Sequence, residues 1–146
     1  MGILYDYFSA RDDRAAASAF AEGPADRGFD TVPVKGVDPQ ILLGRAAALL
    51  LDQPLALVTT HARYGRLVSD PDAESVWILT LPDDLRDALA DAGGERLAAV
   101  AGPWSRAEEF SGEGDPVDLA GFLDQLAALA RRARAAGRGL YCRVCL

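Results

Sequence analysis

Hydrophobic and polar positions along the chain divide it into short periodic stretches. The opening "GILYDYF" (2–8) alternates as a strand, with Leu4, Asp6 and Phe8 on one face and Ile3, Tyr5 and Tyr7 on the other. Ser9 and Asp12 have capping-box spacing, so "RDDRAAASAFAE" is expected as a helix ending at Gly23-Pro24. "GFDTVPVKGVDPQ" is a short extended piece broken by Pro33 and Gly36. Asp38-Pro39 then sets a cap residue before a first-turn proline, and "PQILLGRAAALLLD" brings Leu42, Ala46, Leu49 and Leu50 onto one helical face.

"LALVTT" (55–60) and "SVWILT" (75–80) read as strands joined through "HARYGRLVSDPDAE", with turn signals at Gly65 and Asp70-Pro71. Thr80 and Asp83 repeat the capping spacing ahead of the helix "LPDDLRDALADA", which Gly93-Gly94 closes. "ERLAAVA" predicts a short helix and "GPWSRAEEFSGEGD" an irregular segment. Asp115-Pro116 opens the clearest helix of the chain, with Leu119, Phe122, Leu123, Leu126, Leu129, Ala130 and Ala133 in one apolar stripe. Gly137 and Gly139 end it, and "LYCRVCL" is a final β-like stretch. This order predicts an α+β fold in one domain over residues 1–146. Its small, partly antiparallel sheet has strands near both termini and is covered by helices on one side.

The segments "MGILYDYFSA", "FDTVPVKGVDP" and "GPWSRAEEF", with the terminal helix and strand, resemble the YfbM-like family of small bacterial proteins. The resemblance implies an α+β fold. It carries over no site residues, because that family has no defined activity.

Composition narrows the functions available. Half of the 146 residues are hydrophobic and a quarter charged, an ordinary globular balance, and the formal net charge is −7. That charge repels phosphate backbones, so no nucleic acid partner is expected. The one basic cluster, Arg131, Arg132, Arg134 and Arg138, sits at a helix end, where cations complement the dipole. No apolar span approaches the ~20 residues of a membrane helix, and the N-terminus lacks a basic leader, so no membrane association and a cytoplasmic location are expected. Gly2 suits a myristoylation signal, but Asp6 stands where that signal needs Ser or Thr.

Chemistry is sparse. A zinc site needs three or four suitable ligands, and the chain offers Cys142, Cys145 and His61. No metal or cofactor is expected. Cys142-x-x-Cys145 has redox spacing but follows a helix instead of preceding one. In a strand, residues three apart point to opposite faces with Cα atoms ~10 Å apart, beyond the roughly 4.4–6.8 Å of a disulfide. Cys142 then joins Leu140, Val144 and Leu146 on the core face, and Cys145 joins Tyr141 and Arg143. No nucleophile elbow or phosphate-binding glycine loop is present.

The segment 102–115 is the best candidate region, with Trp104, Arg106, Glu108, Glu109, Phe110 and Glu113 as candidate binding residues. Irregular segments in compact domains carry function disproportionately, and Trp and Arg anchor many interfaces. The competing reading has Trp104 and Phe110 plugging the core with the charges solvated. Lys35, the one lysine, and a part-buried Asp6 are weaker candidates. The expected function is a non-enzymatic module binding a protein or small-molecule partner through 102–115. The alternatives are a small hydrolase or transferase using carboxylates and His61, and then a CxxC thiol protein.

Overall fold

The computed structural model describes residues 2–146. Four strands, β1 (Leu4–Ala10), β2 (Thr31–Lys35), β3 (Val76–Thr80) and β4 (Gly139–Cys145), form one antiparallel sheet in the order β2-β1-β4-β3. The two chain-terminal strands are therefore the central pair, in register from Leu4↔Cys145 to Ala10↔Gly139. Their sequences suit that place, because both carry apolar residues on both faces, which only an interior strand buries.

Helices α2 (Leu42–Leu51), α3 (Leu55–Thr59), α4 (Asp83–Asp91), α5 (Gly94–Ser105) and α6 (Pro116–Ala135) form the layer on one side. α6 packs on β1, β2 and β4, and all seven residues of its predicted stripe are buried. They meet Tyr5, Tyr7, Val32, Leu140, Cys142 and Val144 from the sheet. Each buried leucine or phenylalanine there contributes roughly 1.5–3 kcal/mol, so α6 organises the core. Three arginines of the basic cluster at its end are used internally. Arg131 donates to the carbonyls of Ala90 (3.0 Å) and Ala92 (2.7 Å), capping α4, while Arg132 pairs with Asp30 and Arg134 with Asp91.

The other sheet face is small. Phe8, Ala10, Ile78 and Tyr141 pack there beneath α1 (Asp13–Ala17) and the turns after it, with Ala16, Ala19 and Phe29. Phe8 and Tyr7 thus face opposite ways, as their alternation requires.

Several local expectations need correction. Residues 55–59 form α3 and not a strand; Pro54 enters it, and Val58 alone of its five residues is buried. A five-residue apolar run does not distinguish strand from helix by itself. The chain that pairs with the outer edge of β3, away from β4, is 65–68, where Leu67 bridges Leu79 and Val68 N–H donates to Ile78 O at 2.9 Å. α1 ends at Ala17, short of Gly23, and its cap is Asp12, which accepts the Ala15 N–H, while Ser9 is buried in β1. Thr80 is not a cap either; its hydroxyl donates to Arg63 O (2.6 Å) and accepts Arg66 N–H (3.2 Å). α5 runs on through Pro103 to Ser105, because the missing N–H falls in the last turn, where one lost bond is tolerated. The Asp115 cap forms as its Asp-Pro pair predicts, whereas Asp38 accepts the N–H groups of Gln40, Ile41 and Leu42 across a turn and α2 itself starts only at Leu42, with Ile41 at its N-cap.

Candidate functional site

The segment 102–115 begins inside α5 and folds back as an ordered ridge. Trp104 is 1% exposed, and its indole N–H donates to Leu42 O at 2.8 Å. Its ring meets Phe110 edge-on at 5.6 Å and Phe122 at 6.4 Å. Trp104 is therefore a core plug, which corrects the expectation of a surface anchor. Helical continuation through Pro103 turns the indole inward, and burial of so large a ring outweighs leaving it at the surface. Phe110 is half-buried against the same core.

Glu108–Phe110 form a 3-10 turn that ends with Ser111 and Gly112 at φ +53° and +79°. Gly114 lies so close to α5 that a Cβ would collide with the Ser105 carbonyl oxygen. Arg45 of α2 adds a clamp: its Nε (3.0 Å) and Nη2 (2.8 Å) both donate to Glu109 Oε1. Those bonds, with one from the Glu109 backbone, hold its carboxyl below the usual range. Arg106, Glu108 and Glu113 are exposed and form no ion pair among the described residues.

The ridge separates two depressions. One of about 390 Å³ has an apolar floor of Ala48, Leu49, Leu55 and Pro103, with Arg45, Arg106 and Glu108 at its rim. The other, about 340 Å³, places Glu109, Phe110 and Glu113 with Asp115, Asp118 and Lys35. Lys35 and the ridge, separate in sequence, are thus brought together.

His61 stands apart. It lines a third depression of about 330 Å³ with Tyr64, Pro82 and Asp84. Its Nδ1 accepts the Arg63 N–H at 3.0 Å. Glu108 and Glu109 each line a different hollow from His61. Cys142 and Cys145 are both free; Cys142 is buried with Leu140 and Val144 in the core, and Cys145 lies on the opposite face. Burial pushes the Cys142 thiol well above its ordinary value, the reverse of an activated thiolate. Asp6 is part-buried on the α1 side, 3.9 Å from Arg143, and desolvation raises its carboxyl despite that arginine. Among the described residues, no group of three or more His, Cys, Asp or Glu is placed to hold a metal.

One cluster was not legible beforehand. Asp13 accepts two bonds from Arg63 (2.8 and 2.7 Å) and one from the Tyr141 hydroxyl (2.7 Å). These push its carboxyl down to about 2, the Arg63 bonds acting most strongly. In the sequence Asp13 is only an acid in a first helical turn, and its partners lie 50 and 128 residues away. The network ties α1, the 61–66 loop and β4 together across the smaller sheet face.

Compared with protein-family models, with curated proteins and with solved structures, the chain gives no match.

Proposed function

We propose that the protein is a non-enzymatic binding module that takes a protein or small-molecule partner on the 102–115 ridge. The observation that carries this reading is a contrast within the ridge. Its backbone is held by Trp104, the Arg45–Glu109 clamp and the close approach of Gly114, while Arg106, Glu108 and Glu113 stay exposed beside two hollows. A surface ordered before contact loses less entropy on binding. The apolar floor beside Arg106 suits a group with an apolar body and an acidic end.

No helix of the described residues is long and apolar enough to cross a membrane. The reading takes the protein to be cytoplasmic, and two free thiols fit a reducing compartment. It also keeps the likeness to the YfbM-like bacterial family, for which the strand at each end of an α+β chain is the support. Hydrolase chemistry finds less support, because His61 and the ridge glutamates line different hollows.

The test compares immobilised wild type with an Arg106→Ala/Glu108→Ala double variant, offered the same lysate and the same small-molecule library. Neither side chain is buried, so the variant should melt as the wild type does. A species bound by the wild type and lost by the variant supports the ridge. Equal retention by both places the contact elsewhere.

A further inference from the structure

A cleft at the open end of the sheet, separate from the ridge, is built as a receptor. Register sets Tyr5 opposite Val144 and Val144 opposite Trp77, so three strands present one apolar row on the helix-layer face. Leu79 and Leu67 extend this floor, and the hollow measures about 400 Å³. Its first wall is Asp38-Pro39-Gln40 at the entry to α2, and its second is the Gly65–Leu67 stretch.

Both walls are fixed without a ligand. Asp38 Oδ1 accepts the N–H groups of Gln40 (3.0 Å) and Ile41 (2.6 Å), and Oδ2 accepts that of Leu42 (3.1 Å). The Tyr64 hydroxyl donates to Gln40 O, binding one wall to the other. Residues 65–68 are zipped to β3, with Gly65 N–H on Thr80 O at 2.9 Å. Gly65 sits at φ +65°, and a Cβ there would come within 2.8 Å of Gln40 Nε2. The walls therefore touch through a glycine that L side chains would disturb.

The polar groups around this floor define a complement. Among the described residues, Asp38 is the one charged side chain lining the cleft. An ionised carboxylate offers about four acceptor positions, of which three are occupied here. A helix N-terminus carries roughly half a positive charge, which offsets only part of the Asp38 charge. The Tyr5 hydroxyl and the Trp77 indole N–H make no hydrogen bond among the described residues, and both atoms reach solvent, since no buried side-chain polar atom there is unpaired. A hollow lined by Trp77 and the edge of a largely buried Tyr5, beside one residual negative charge, suits a cation on a flat apolar body better than an acid.

We infer that this cleft binds a small primary amine carried on an aromatic or similarly flat apolar body, the ring against Trp77 and Tyr5 and the ammonium at Asp38. The site does not depend on the ridge, and variants at Arg106 or Glu108 leave it intact.

The test titrates phenethylamine against the full chain and follows fluorescence of the half-buried Trp77, with heteronuclear NMR of its indole N–H as the second readout. 2-Phenylethanol and phenylacetate present the same ring with a neutral and an anionic end. Expected is saturable binding of the amine, at least tenfold weaker binding of the alcohol, and weaker binding still of the acid. Asp38→Asn keeps one oxygen for the Gln40 and Ile41 N–H groups while removing the charge and the bond from Leu42; in a protein whose NMR spectrum shows it folded, it should bring the amine to the level of the alcohol. Equal affinity for amine and alcohol overturns the inference in the wild type alone. So does unchanged amine affinity in a folded Asp38→Asn protein, or no saturation by about 10 mM, a bound equivalent to roughly −2.7 kcal/mol. Self-association that shields Trp77 as protein concentration rises also overturns it, because the occupant is then a second copy.

Discussion

Replacing Asp13 by Asn should cost stability at neutral pH and cost progressively less in acid. In the folded protein Arg63 and Tyr141 lower this carboxyl from its ordinary 3.8 to about 2. At about 1.4 kcal/mol for each tenfold in proton affinity, that difference corresponds to roughly 2.5 kcal/mol. The Asp13 side chain is 42% exposed, so solvent screening reduces the figure to about 1 kcal/mol. The sign follows from linkage. A carboxyl with a depressed folded value stabilises fully above the unfolded value and loses that contribution as pH falls through the folded one. The contribution is therefore complete above about pH 5, near half at pH 3, and small below pH 2. Urea unfolding of the wild type and Asp13→Asn at pH 7, 5 and 3 measures it directly. A gap of about 1 kcal/mol at pH 7 that narrows to about half at pH 3 is expected. A gap constant across the three pH values refutes the ion-pair account and leaves only a shape effect of the substitution. Tyr141→Phe, which removes one of the three bonds to Asp13, should shift the acid limb by a smaller amount in the same direction.

Two further outcomes check the packing. Trp104→Ala empties a fully buried site and strands the Leu42 carbonyl, so it should destabilise by about 3–5 kcal/mol in urea unfolding; Trp104→Phe should cost clearly less, and a loss below about 1 kcal/mol for Ala would contradict the core placement. In thiol titration of the native protein with a coloured disulfide reagent, Cys145 should react and Cys142 should react only on unfolding. Rapid reaction of both thiols would show that β4 frays at its end.

The ridge and the amine cleft divide the molecule's surface by charge and shape. Arg106 stands beside an apolar floor on one side of α2, and Asp38 beside an aromatic floor at its N-terminal entry. The two proposals therefore send an acidic apolar group and a basic one to different places, and they fail or succeed by separate variants.

Strand parity and helical stripes were legible from sequence because each depends on neighbours within a few residues, whereas of the expected caps those at Ser9 and Thr80 did not form. The α6 stripe, the Asp115 cap, the opposed faces of Tyr7 and Phe8, and the inward Cys142 all follow from such local spacing. Segments whose local preferences are balanced were decided elsewhere. "LALVTT" became α3 because residues 65–68 took the place beside β3, and Trp104 turned inward because α5 continued to a core that already held Phe122. The 102–115 ridge was named from one contiguous segment, but the partners that hold it and the other candidate clusters lie in this second class. Asp13 meets Tyr141, Arg45 meets Glu109, and Tyr5, Val144 and Trp77 line one floor, through pairings between residues far apart in sequence. Local spacing determined what each stretch could form; long-range burial and strand pairing determined which residues stand together, and those contacts exist only once the chain has closed on itself.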